Sequence, residues 1–199
     1  MSDSMQDDIA YMKSLAQAGE RGPLKNGASL FWAGLVYGAA AVAQYASIEG
    51  YLPRSNWIPI FIWGGASVIF ALLAIAFNIG RWGQAHNVAN RAALSAWSGV
   101  GLAIGFFILS MIVITQRVSD FSTLSFLIAP VVLIIYGIGW WVSAKMAERG
   151  WLKLVAFGCF LAAPALCAMV GRPEQLLAYA ACLVLFATVP GFILMREKA

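Results

Sequence analysis

Charge is what this chain most lacks. Asp, Glu, Lys and Arg make up 11% of its 199 residues, against 61% hydrophobic residues and a mean hydropathy of +0.79. Soluble domains are nearer a quarter charged and half apolar. A soluble core of this size could not enclose so much apolar surface, so the excess must face lipid. No stretch is long and polar enough to fold by itself, which leaves one membrane-embedded domain. The net charge of +4 then speaks to membrane topology and not to nucleic acid.

Histidine and cysteine are almost as scarce. His86 is the one histidine and stands between Arg81 and Arg91, so bis-imidazole haem ligation within the chain is excluded, and no Cys/His cluster has zinc-ligand spacing. Cys159, Cys167 and Cys182 all fall in apolar runs and read as small buried hydrophobes, not as a disulfide framework. Neither a metal nor a cofactor is expected. The long apolar segments hold no Asp, Glu or His away from their ends. That argues against proton-coupled export, because intramembrane ionisable groups are costly and are kept where they work. Ser67, Ser95, Ser98, Ser110, Ser122 and Ser125 have no histidine to activate them, and no H-E-x-x-H helix is present, so the chain does not read as an enzyme. The first residues carry Asp3, Asp7 and Asp8 with no basic region ahead of an apolar core, so no secretory signal is expected.

What is present is apolar length. A spanning helix needs about 20 mostly apolar residues, at ~1.5 Å each, to cross roughly 30 Å of hydrocarbon. Six segments qualify: 28–47, 57–80, 92–115, 121–142, 151–170 and 173–195. The fold class is therefore an all-α membrane protein, a bundle of about six transmembrane helices spanning 28–195, with an N-terminal segment at 1–27 and a tail at 196–199. Strands are excluded by the missing alternation and by the cost of open sheet edges in lipid.

The basic residues orient the bundle. Lys13, Arg21, Lys25, Arg81, Arg91, Lys145, Arg149, Lys153, Arg196 and Lys198 fall on one side, and only Arg54, Arg117 and Arg172 on the other. The positive-inside rule puts both termini in the cytoplasm. Trp32, Trp82, Trp97, Trp140, Trp141 and Trp151 lie near the same ends, where an indole suits the headgroup layer, and Trp57 lies at the opposite interface.

Ahead of the first span, Met5, Ile9, Met12 and Ala16 recur at helical spacing, the stripe of a short amphipathic cytoplasmic helix. Ser4 with Asp7 resembles a capping box at its start, and Gly19 and Gly22-Pro23 are expected to end it. The stripe is narrow, and Asp7 and Asp8 would be repelled by anionic headgroups, so this helix is expected to dock on protein: the basic loop of Lys145, Arg149 and Lys153, or a partner. Trp32-Ala33-Gly34-Leu35 and Trp97-Ser98-Gly99-Val100 occupy matching points of the first and third spans, a trace of tandem hairpins.

Two features stand out within the spans. Gly34/Gly38 and Gly101/Gly105 are GxxxG pairs, which serve packing within the bundle or a homodimer seam. Pro130 and Pro164 interrupt the fourth and fifth segments, freeing the carbonyls near Phe126 and Phe160. Both come out roughly 9–12 Å below the outer surface, at ~1.5 Å per residue. With Gln44, Tyr179, Cys167 and Cys182 in the same outer half, they serve either the packing of kinked helices or an outward-facing cavity for a neutral, partly apolar ligand or a lipid. The Arg/acid pairs of the outer loops, such as Arg172 with Glu174, read as solvated.

The run DIAYMKSLA at 8–16, followed by Gly19, and the end of the last span, Tyr179-Ala180-Ala181 with Pro190-Gly191-Phe192 and Met195-Arg196, resemble small six-helix inner-membrane proteins of unassigned function from alphaproteobacteria. The resemblance implies a bacterial inner-membrane location and brings no catalytic residue with it. The expected role is that of a non-enzymatic accessory, sensory or regulatory subunit working through protein contacts in the bilayer. A transporter or lipid-handling protein using the outer cavity is the alternative. Orientation is directly measurable: a reporter active only in the cytoplasm should give signal when fused after Ala199 or within 84–90, and none within 49–56 or at Arg172. A signal from either of the latter would overturn the topology.

Overall fold

About twenty mostly apolar residues without alternation leave the backbone one way to satisfy its polar groups without water, the helix. The computed structural model of the chain describes residues 27–52, 55, 57–78, 88–117 and 124–196, and its regular elements are all helical. They are α1 (Gly27–Ile48), α2 (Ile58–Asn78), α3 (Val88–Thr115), α4 (Ile128–Met146), α5 (Gly150–Cys167) and α6 (Gln175–Arg196). Each contains a window long and apolar enough to cross a membrane. The chain is a multi-pass membrane protein, with six membrane-length helices among the described residues. The stripe of Met5, Ile9, Met12 and Ala16, and His86, lie outside the described residues.

Five helices begin within a few residues of where run length puts them, and α4 begins later. Leu124 and Ser125 are helical, but Phe126 and Leu127 form a turn, with the Leu127 amide donating to the Leu124 carbonyl at 3.0 Å. Pro130 is thus the third residue of α4, in its first turn, and the ladder breaks just ahead of it. It is not the mid-helix kink expected. Pro164 does lie inside its helix, α5.

The helices pack as two groups of three. α1 lies between α2 and α6, and α4 lies between α3 and α5, while α5 and α6 share only a small contact. The third sequential pair is therefore split between the groups, unlike the hairpins α1–α2 and α3–α4. Between 28% and 56% of the apolar windows of α1, α4, α5 and α6 is buried, against 6% for α2 and for α3. The last two helices each lean on a single neighbour.

Contacts between the helices explain this order. A Cβ on Gly27 would stand 2.6 Å from the Gly191 carbonyl oxygen, and one on Gly34 would stand 2.7 Å from the Thr188 nitrogen and 2.9 Å from the Leu183 oxygen. α1 and α6 thus meet backbone to backbone, as small residues in membrane helices allow. These contacts also put Gly27 and the C-terminal end of α6 at one face of the bundle, called the terminal face below. Gly50 and Gly171 turn the chain at the far face. On α4, Trp97 of α3 packs edge-on against Trp140 (5.0 Å between ring centroids) and Tyr136 (5.4 Å). Its indole N–H donates to the Ser143 hydroxyl at 3.0 Å.

Two helices end in the same way. The Tyr51 amide reaches back to the Ala46 carbonyl (2.9 Å) across Gly50, whose φ is 88°, and the Arg149 amide reaches the Ala144 carbonyl (3.1 Å) across Glu148, whose φ is 51°. This is the Schellman ending, in which glycine usually takes the left-handed position. Glu148 holds that conformation at a cost of about 1 kcal/mol, and in return only Ala147–Arg149 separate α4 from α5.

The GxxxG pairs divide cleanly. Gly34 is occupied by α6, whereas a Cβ on Gly101 or Gly105 would meet nothing within 4 Å. Gly34→Ala should therefore lower stability by about 1–3 kcal/mol through overpacking, while Gly105→Ala should leave it unchanged or raise it by ~0.5 kcal/mol or more through helix propensity. Thermal unfolding of the two purified variants checks this, and equal melting temperatures would contradict the α1–α6 contact.

Candidate functional site

A proline in a membrane helix takes away one backbone donor and leaves the carbonyl four residues earlier without its partner. In hydrocarbon that carbonyl has no water to turn to, so another group must donate to it. Pro130 and Pro190 both raise this demand, and both are buried.

For Pro130 the carbonyl is that of Phe126. It accepts a hydrogen bond from the side-chain amide of Gln175, Nε2 to oxygen 3.0 Å, and the same amide nitrogen donates to the Leu166 carbonyl at 2.8 Å. Gln175 is the first residue of α6 and is 1% exposed. One side chain therefore joins the approach to α4, the end of α5 and the start of α6 at the far face.

For Pro190 the carbonyl is that of Phe186. Here the ladder of α6 widens into a π-helical turn over Val184–Thr188, and the freed oxygen accepts from the Trp140 indole N–H at 2.8 Å. Trp140 is fully buried. The Phe186 ring packs over Gly158 of α5, where a Cβ would stand 2.5 Å from the ring, just as the Phe160 ring covers Gly137 of α4. The repair is reciprocal: α6 supplies Gln175 to the proline of α4, and α4 supplies Trp140 to the proline of α6. Both bonds cross between the two groups of three helices.

The six residues that outlined an outer cavity scatter within this frame. Pro130 and Tyr179 are buried, Gln44 and Cys182 are half-buried, and Pro164 and Cys167 are exposed. The Gln44 side-chain oxygen is enclosed and has no hydrogen-bond partner. Between the Pro130 turn and the end of the Pro164 helix stands the Gln175 amide. An open groove of about 460 Å³ lies elsewhere, between α1 and α2, lined by Leu35, Ala39 and Ala43 on one side and Phe61, Gly65 and Ile69 on the other. Its lining is apolar and includes none of the six.

Three of the serines bond to carbonyls of their own helices: Ser67 to Trp63, Ser98 to Ser95 and Ser110 to Phe106, each at 2.8 Å, the usual use of a hydroxyl inside a helix. Tyr37 of α1 donates to Ser67 of α2 at 3.4 Å. Among the described residues no group of three or more His, Cys, Asp and Glu could hold a metal ion. The arrangement is equipped to fix helices against one another, and its buried donors are aimed at backbone. Gln175, Trp140, Pro190 and Ser143 carry it, and each escapes a reading of apolar runs. Gln175 looks like a residue at a loop boundary and Trp140 like a headgroup anchor. No local signal in the sequence links either donor to the carbonyl it serves, 46 and 49 residues away.

Comparison of the chain with protein-family models, with curated proteins and with solved structures finds no match.

Gln175→Leu should leave the Phe126 carbonyl bare and cost about 1–3 kcal/mol. Pro130→Ala, harmless or slightly stabilising alone, should recover part of that loss by restoring a backbone donor. Chemical or thermal unfolding of the two single variants and the double variant measures the coupling. Strictly additive effects would show that Gln175 does not answer for Pro130.

Proposed function

We propose that this chain is a non-enzymatic protein of a bacterial inner membrane that works through contacts, as an accessory, sensory or regulatory subunit, with both termini in the cytoplasm. The observation that carries the reading is the uneven use of its helices. α2 and α3 have 6% of their apolar windows buried, and a Cβ added at Gly101 or Gly105 of α3 would meet nothing within 4 Å among the described residues. Two of six helices thus do little to hold the bundle and present nearly all of their surface to whatever adjoins it. Small faces of this kind let a second helix, from a partner or another copy, approach closely. The ten-to-three distribution of basic residues supports the orientation, and the acidic stripe-bearing segment at 1–27 serves as the cytoplasmic handle. The interior supports the rest: within the spans, Lys145, Lys153 and Arg196 are the charged residues, all close to helix ends.

A second reading is favoured by the groove between α1 and α2, whose apolar lining suits a lipid chain or another neutral, partly apolar ligand of a transporter or lipid-handling protein. A photo-crosslinking residue at Gly105, tested in native membranes beside one at Leu102 and one at the buried Ala156, separates the two. Discrete protein adducts from α3 positions, identified by mass spectrometry, are the expected result. Lipid adducts alone, together with ligand movement by the purified protein in liposomes, would overturn the contact reading in favour of the second.

A further inference from the structure

At the terminal face two cations are folded back along their own helices. Lys145 Nζ lies 5.7 Å from the centroid of the Trp141 ring, one turn earlier in α4, and the Arg196 guanidinium carbon lies 4.4 Å from that of Phe192, one turn earlier in α6. Both helices run towards this face, so one turn earlier is one turn deeper in the apolar layer. Helix geometry leans side chains that way, and attraction to the ring face holds them there. Side chains long enough to reach well into water are kept instead at the level of their rings, and amphipathic aromatics mark the boundary between hydrocarbon and headgroups. Lipid phosphates sit at that level. A soluble acidic partner would be met better by the same charges extended outward.

The hairpin between α4 and α5 gathers more of the same charge. Lys145 and Lys153 are both exposed, Arg149 stands between them, and Glu148 is the one acid of 143–153. The three-residue link Ala147–Arg149, held by the left-handed Glu148, keeps the two lysines at adjoining ends of two packed helices. Trp141 and Leu154, 42% and 74% exposed, supply apolar surface on the membrane side of them. The positive end of α5 adds to the potential.

We propose that the α4–α5 hairpin binds an anionic phospholipid, with Lys145 and Lys153 on the headgroup phosphate and Trp141 and Leu154 against the upper acyl chains. Charge complementarity selects an anionic over a zwitterionic lipid, each lysine near the surface contributing a few-fold. The site is independent of whether α3 meets a partner.

The test uses the full chain in nanodiscs of phosphatidylcholine with and without phosphatidylglycerol, reading the melting temperature and the phosphatidylglycerol retained in native mass spectrometry. In the wild type, phosphatidylglycerol should be retained selectively and raise the melting temperature. Lys145→Gln with Lys153→Gln should weaken retention on the order of tenfold or more while melting like the wild type in phosphatidylcholine alone. Arg172→Gln, at the far face, should retain lipid normally. Should the double variant fold poorly, Lys145→Arg with Lys153→Arg keeps the question answerable, because retention should survive that exchange and fall in either single Gln variant. Equal retention by the Gln variants and the wild type would overturn the proposal. So would an equal stabilisation by inorganic phosphate in phosphatidylcholine discs, which would mark a free-anion site. If Asp7→Asn with Asp8→Asn shifts the melting temperature and phosphatidylglycerol does not, the chain's own acidic segment occupies the lysines and the proposal falls.

Discussion

Carbonyls within a membrane helix need a donor, and much of this bundle is arranged around two whose donor a proline removed and a distant side chain replaced. Pro130 and Pro190 expose the oxygens of Phe126 and Phe186, and Gln175 and Trp140 close on them at 3.0 and 2.8 Å. Leaving such a group bare costs about 1–3 kcal/mol even by the measure of soluble proteins. Within lipid there is no hydrophobic drive between helices to offset it. The bonds therefore specify as well as stabilise: only one rotation of α4 and one of α6 bring Trp140 and Gln175 to their acceptors. Because α5 and α6 touch over a small area, these two side chains do much to align the halves that α1 and α4 organise.

The two halves are held internally by different means. α1 and α6 meet through Gly27, Gly34 and Gly191, with Thr188 filling the space that a side chain at Gly34 would take. α3 and α4 meet through rings, with Trp97 lodged against Trp140, Tyr136 and the bare backbone of Gly139, and its N–H tied to Ser143. Trp140 belongs to both devices. Its ring is part of the aromatic contact to α3, and its nitrogen is the donor that mends α6. A change at Trp140 would thus be felt on three helices, two of which, α3 and α6, share no extensive contact of their own.

Helix number and most helix positions were legible because the signal for a membrane span is one of run length, which needs no knowledge of neighbours. α4 was the exception, since hydropathy counts Leu124 and Leu127 as spanning residues while Pro130 decides where a regular ladder can begin. The pairing of helices was not legible: GxxxG at Gly34 and at Gly101 look alike in one dimension, yet the first is filled by α6 and the second is open. Nor was the fate of the freed carbonyls. Phe126 was identifiable as the oxygen that Pro130 releases, but its donor lies 49 residues away, and nothing local links the two. Pro190 drew notice only as part of a resemblance and not as a break, because it stands among small and apolar residues that continue a helix on hydropathy alone.

Reciprocal repair has a consequence for movement. Sliding α4 along α6, or opening the far face between α5 and α6, would pull Gln175 from Phe126 and Leu166 and Trp140 from Phe186 in the same motion. The Gln175 bonds lie at the start of α6 and the Trp140 bond near its middle, so a rotation about one would load the other. A bundle built to rock its halves past each other would be better served by apolar contacts, which reform at any offset, than by directed bonds to single carbonyls. The inner helices α1, α4, α5 and α6 therefore behave as a fixed frame. Whatever variation the protein undergoes is most cheaply accommodated in α2 and α3, each held along one edge by rings and a few hydroxyls. That division suits a protein whose edges respond to what surrounds them while its centre keeps its shape.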